Sequence, residues 1–231
     1  MITHSTFFGI LIAEPTTAIT DFILAVLCTF FYARFSANNK EDGSYYWKRF
    51  FLFMGISTLI GGITHAFLED HNTRTYSIFW LSMQLFSGLS VLYCQIATIH
   101  SIPNTKIPIY RSVKASLLFC RIQFFVFAIA VLFFQNFIVV VSNSTLGFLL
   151  VLYIHALSGR KYGNRPAAWI ALGIMVSFLT AIIYTLKISI NQWFNFKDIA
   201  HVIMMISLSF IFYGAMLSFE SDQKKEIMKT N

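Results

Sequence analysis

Apolar residues dominate the chain for about 20 positions at a time, the length that crosses the hydrocarbon core of a bilayer as a helix. Seven such runs are set off by short polar segments, at roughly 16–35, 46–68, 76–100, 115–134, 137–158, 167–186 and 198–219. All four prolines, Pro15, Pro103, Pro108 and Pro166, fall in the connections or at the start of a run, so no run is broken internally. The pattern predicts an all-α integral membrane protein: a single transmembrane domain over residues 1–231, built as a seven-transmembrane-helix bundle. The stretch FFGILIA at 7–13 is short for a signal sequence and has no Lys or Arg before it, and reads as an interfacial segment leading into the first span.

Composition agrees. Of the 231 residues 57% are hydrophobic, 26 are Phe and only 12% are charged, about half the charged share of an ordinary soluble domain. A net charge of +7 is compatible with a nucleic-acid partner, but its placement argues against one. Thirteen Lys and Arg lie on one side of the alternating spans: Arg34, Lys40, Lys48, Arg49, Lys106, Arg111, Lys114, Arg160, Lys161, Arg165, Lys224, Lys225 and Lys229. Only Arg74, Lys187 and Lys197 lie on the other, with Arg121 inside the fourth span. Positive charge marks the cytoplasmic side, which predicts the N-terminus outside and the C-terminus cytoplasmic. Short loops suggest a bacterial inner membrane. Cys28, Cys94 and Cys120 sit within apolar runs without ligand-like spacing and read as packing residues.

Ionisable side chains inside a span face the bundle interior or a cavity. Asp21 lies near the outer start of span 1, His65 near the outer end of span 2 and His201 near the outer start of span 7. At 1.5 Å per residue all three fall roughly 4–8 Å below the outer boundary. His65 shares its helical face with Gly61, Gly62, Thr58 and Ser57, and Asp21 shares its own with Thr17, Ala18, Ala25 and Cys28. Small and hydroxyl residues mark the face that packs on other helices, so both point inward. Neutral imidazoles with a carboxylate are zinc ligands, which makes His65, His201 and Asp21 a candidate metal set. The plainer reading is that each residue caps a helix or reaches headgroups; Asp198 in particular suits a helix first turn. Met204 and Met205 would supply a soft wall beside His201, and Asn143 a further donor to the same shelf, although it also fits a glycosylation sequon. Arg121 either snorkels to the inner headgroups or pairs within the bundle.

Seven spans with histidines in STLIGGITHAF and FNFKDIAHVIMM resemble the superfamily of alkaline ceramidases and progestin and adipoQ receptors. The resemblance implies a membrane-embedded hydrolase or hydrolase-like receptor, with zinc held by His65 and His201. It also brings departures. Gly61 stands where the family keeps a serine, with Ser57 a further turn away. Lys197 and Met205 occupy the positions of a second helix-7 histidine, and TYSIFWLSMQ lacks the family's aspartate. The zinc set then needs Asp21, Asp198 or Glu14. The stretch EPTTAITDFILA also resembles uncharacterised seven-helix proteins of this broad group.

Two functions compete. One is a metal-dependent hydrolase of lipid amides or esters, in which Asp21 or Asp198 serves as catalytic base and Ser57, Asn143, Met204 and Met205 border the substrate. The other is a non-catalytic lipid-binding or receptor-like protein that keeps the fold without the chemistry. A transporter needs polar residues at the midplane or interrupted helices, and the shelf expected here is shallow.

Overall fold

The computed structural model describes residues 4–7, 9–35, 43–68, 70–101 and 113–230, of which Phe7, Ile10 and 221–230 for their backbone alone. Lys40, Pro103, Lys106, Pro108 and Arg111 lie outside the described residues, as do the side chains of Lys224, Lys225 and Lys229. The helices are α1 (Pro15–Arg34), α2 (Gly43–Phe67), α3 (Arg74–Ser101), α4 (Val113–Phe134), α5 (Phe137–Tyr162), α6 (Arg165–Leu186) and α7 (Phe196–Thr230). Each is long and apolar enough to cross a membrane, α7 through Phe196–Glu220. The chain is therefore an integral, multi-pass membrane protein.

The expected spans agree with these helices to within four residues at every end but the last: α5, expected to end at Ser158, runs to Tyr162, and α7, expected to end at Phe219, continues to Thr230. Local chemistry sets the ends. Gly163, at φ 63, closes α5, and Asn164 opens α6 by accepting the Ala167 N–H, with Pro166 in the first turn.

The all-α expectation holds for the bundle. The segment before α1, expected as a lead-in to the first span, adds a β-hairpin, β1 (His4–Phe7) paired antiparallel with β2 (Ile10–Ala13). Phe7 pairs with Ile10, so the connection is tight, and Gly9 takes φ 79 within it, a conformation open to glycine. The hairpin contacts α2 through β2.

Contacts between helix ends show how the bundle is strung. Glu14, just before α1, meets His65 at the end of α2 and Lys197 at the start of α7. Trp80 near the start of α3 donates to the Gln135 carbonyl just after α4. Tyr184 near the end of α6 packs on Phe137 and Phe196, the first residues of α5 and α7. These ends together form the hairpin end of the bundle, and successive helices run in alternating directions. At the opposite end Phe31, Phe35, Phe51 and Phe212 stack into one aromatic cluster, with Phe31 and Phe212 4.2 Å apart between centroids. α2 packs between α1 and α3, whereas α4 is peripheral and buries only Cys120, Phe127 and Val131. Phe125, Phe133 and Phe134 on α4 point outward, as suits a surface whose solvent is lipid.

Glycines set the closest helix approaches. A Cβ on Gly173 of α6 would lie 2.8 Å from the Ser207 carbonyl oxygen of α7, and one on Gly214 of α7 would lie 2.7 Å from that of Pro166. In the same seam the Ser207 hydroxyl donates to the Gly173 carbonyl at 2.8 Å. Small residues of this kind let helices pack where lipid gives no hydrophobic drive to association.

Candidate functional site

The hairpin end carries an ionic network that links three elements. Glu14 occupies the N-cap position of α1 with φ 44 and makes no side-chain cap. Its carboxylate turns instead across the bundle. Oε2 accepts from His65 Nδ1 at 2.6 Å, and Lys197 Nζ donates to both oxygens at 2.8 Å. Burial by itself pushes the Glu14 carboxyl up, but the His65 hydrogen bond and the Lys197 charge outweigh it and bring the pKa from 4.5 down to about 2. An ionised carboxylate only accepts hydrogen bonds, so His65 carries a proton on Nδ1.

A second pair lies deeper. Thr20 donates its hydroxyl proton to the Thr17 carbonyl at 2.9 Å, and its oxygen lies 2.9 Å from His201 Nδ1. Because that proton is committed, Nδ1 is the donor to Thr20. His201 Nε2 faces Asp21 Oδ1 at 3.4 Å, a polar contact longer than a good hydrogen bond. The other Asp21 oxygen rests against α2, where a Cβ on Gly61 would sit 3.0 Å from it. Gly61 thus has a structural reason of its own: it leaves room for the Asp21 carboxyl between α1 and α2.

Asp198 works as a cap. Its Oδ2 accepts the Asn195 N–H at 2.7 Å, while Asn195 Oδ1 accepts the Lys197 N–H at 2.8 Å. This is a close variant of a capping box at the start of α7, with the Asn195 side chain on the second helical N–H in place of the third. Its other oxygen is buried near the Thr17 hydroxyl without a well-formed bond between them.

Below the network lies a cavity of about 180 Å³, lined by six of the seven helices, α4 being the exception. His65, Lys197, Asp21 and His201 line its upper part. The hydroxyls of Ser57, Thr58, Ser177, Thr180 and Ser207 are also on its wall, and each gives its proton to a main-chain carbonyl. Gln84 of α3 differs from these. It is fully buried and lines the cavity, and neither its amide nitrogen nor its oxygen has a hydrogen-bond partner among the described residues.

The structure therefore brings His65, His201, Asp21, Ser57 and Met204 to one cavity. Met205 and Asn143 are not on its wall. Met205 packs on the apolar core, and the Asn143 side-chain oxygen accepts from Gln123 at 3.0 Å, within a chain of amides that also joins Gln123 to Gln95. Asn143 thus ties α5 to α4, because its face of α5 turns towards α3 and α4. Lys197 and Gln84 had no role in the sequence-based site, and Glu14 entered it only as a substitute ligand for the zinc that the resemblance implies. Gln84 was discernible only as an amide ten residues into α3.

Among the described residues no three His, Cys, Asp or Glu cluster closely enough to hold a metal. The Glu14 carboxylate is saturated by His65 and the Lys197 ammonium, and that cation would repel another.

The chain belongs to a family of unknown function (DUF6962), whose model matches residues 16–218. No curated protein and no solved structure matches it.

Proposed function

We propose that this membrane protein is a binding protein that takes a small amphipathic ligand from the lipid phase into the cavity beneath the Glu14–His65–Lys197 network. One observation carries the proposal: a cavity of about 180 Å³ walled mainly by apolar side chains, with its ionisable groups gathered at one end. Binding sites are typically concave and apolar with a few placed polar groups. A dry cavity of about 150 Å³ already holds a benzene ring, so this one suits a compact ligand or one end of a longer lipid. The distribution of basic residues supports placing the charged end at the outer leaflet of a bacterial inner membrane.

Binding is favoured over hydrolysis for chemical reasons. The Ser57 proton is held by the Met83 carbonyl at 2.8 Å, and Asp198 is spent on the α7 cap. The zinc-dependent lipid hydrolase remains the second reading, because His65 and His201 line the same cavity.

Solvent extraction of protein purified in mild detergent without chelators tests both. The expected result is a small molecule in the wild-type extract that is missing from Ala200→Trp and Thr180→Trp, which fill the cavity, with zinc, iron and manganese all substoichiometric. Wild-type and filled-cavity extracts that match would overturn the binding reading. Stoichiometric zinc lost from both His65→Ala and His201→Ala would establish the hydrolase instead.

A further inference from the structure

Gln84 lies ten residues into α3 from Arg74, and Ser57 ten residues before the end of α2 at Phe67. Both are therefore roughly 15 Å from the hairpin end, close to the middle of a hydrocarbon core about 30 Å thick. The Ser57 hydroxyl is satisfied there. The Gln84 amide is not: donor and acceptor are both buried and without a partner among the described residues, on a residue that lines the cavity. A desolvated amide without partners is unfavourable in an apolar interior, and nothing in the packing requires it, since Gln84 bridges no helices.

The cavity wall is rich in aromatic and sulfur-bearing side chains, among them Trp80, Phe137, Phe148, Phe178, Met54 and Met83. Such surfaces suit a flat, polarisable body. An amide presents a donor and an acceptor side by side, and one ligand edge satisfies both only if it offers an acceptor beside a donor. We propose that Gln84 reads the ligand, and that the ligand is an uncharged, flat, conjugated molecule bearing a carbonyl next to an N–H or O–H, as in a lactam or a hydroxycarbonyl. This deepens the binding reading above and depends on it.

Three bicyclic probes of similar size separate the possibilities by calorimetry on the full chain in detergent: 2-quinolone, with both carbonyl and N–H; coumarin, which keeps the carbonyl and replaces the N–H by oxygen; and naphthalene, with neither. The expected result is that 2-quinolone binds at least tenfold more tightly than coumarin, and coumarin more tightly than naphthalene. In Gln84→Leu the three converge on the naphthalene affinity. Thermal unfolding of the same variant without ligand distinguishes a reading role from a structural one: Gln84→Leu raises the unfolding temperature, because it removes an unpartnered amide, whereas loss of a structural hydrogen bond lowers it. Equal affinities for the three probes in wild type, abolished by Ala200→Trp, would overturn the role of Gln84 and leave the cavity as a binding site. No probe binding at all, with a copurifying molecule still extracted, would overturn the ligand class alone. No probe binding and no copurifying molecule would overturn both.

Discussion

Glu14 holds a left-handed backbone, φ 44, that strains a residue with a side chain by roughly 1–2 kcal/mol. The strain directs its carboxylate away from its own helix and towards His65 and Lys197. Replacing it by Gln keeps the shape and removes the charge; the expected loss is about 1.5–3 kcal/mol, the range for hydrogen bonds to charged groups, read as a lower unfolding temperature in detergent. The pH dependence has a definite sign. A carboxyl held below its ordinary value stabilises the fold fully above pH 4.5, and the contribution disappears as pH falls towards about 2. Unfolding temperature should therefore fall in that acid window for wild type and less steeply for Glu14→Gln; parallel curves would show that the network does not set acid stability. Asp198→Ala should lower stability by about 1 kcal/mol through loss of the α7 cap and leave ligand binding intact. Binding lost at unchanged stability would instead return Asp198 to a direct role. The capping box was legible, since Asn195 stands three residues before Asp198. The orientation of Glu14 was not, because a backbone φ outside the helix leaves no periodic trace.

Helices differ in how much change they tolerate at their glycines. A Cβ on Gly61 meets the ends of two side chains, Asp21 Oδ2 at 3.0 Å and Met83 Sδ at 3.3 Å, and Met83 can yield. A Cβ on Gly173 meets main chain, the Ser207 carbonyl at 2.8 Å and the Ile211 nitrogen at 3.0 Å, so α6 and α7 must separate. Gly173→Ala should therefore cost the most, about 1–3 kcal/mol for overpacking, and break the Ser207–Gly173 hydrogen bond. Gly61→Ala should cost less but shift Asp21 and weaken ligand binding. Unfolding temperatures and probe titration on the two variants check the order. At this scale the sequence is informative: runs of about 20 apolar residues have few alternatives to spanning helices, and the small-residue faces already turned His65 and Asp21 inward. The hairpin escaped notice because two four-residue strands are too short for their alternation to stand out from an apolar segment.

Across the whole molecule, acid–base side chains collect at the hairpin end and stacked phenylalanines at the other. The basic residues set the expected orientation. A cysteine at the Gly9 position should react with an impermeant reagent added outside intact cells, and a reporter fused after Asn231 should report from the cytoplasm; the reverse pattern would invert the assignment. Native cysteines will not interfere, since Cys28, Cys94 and Cys120 are buried. The cavity itself could not be read from sequence, because its wall is assembled from six helices and depends on how those helices rotate against one another.

The same long reach governs how the protein is made. Glu14 is synthesised before either of its partners, which follow 51 and 183 positions later, the second on α7. Thr20 likewise waits 181 residues for His201. Contacts so distant along the chain form late, and an N-terminal segment leaves the ribosome well before its partners do. The hairpin end can therefore close only after α7 has inserted. A nascent chain halted before that point carries an uncompensated carboxylate at the membrane surface and an open cleft behind it, so the charge that steadies the finished bundle also distinguishes it from every incomplete one.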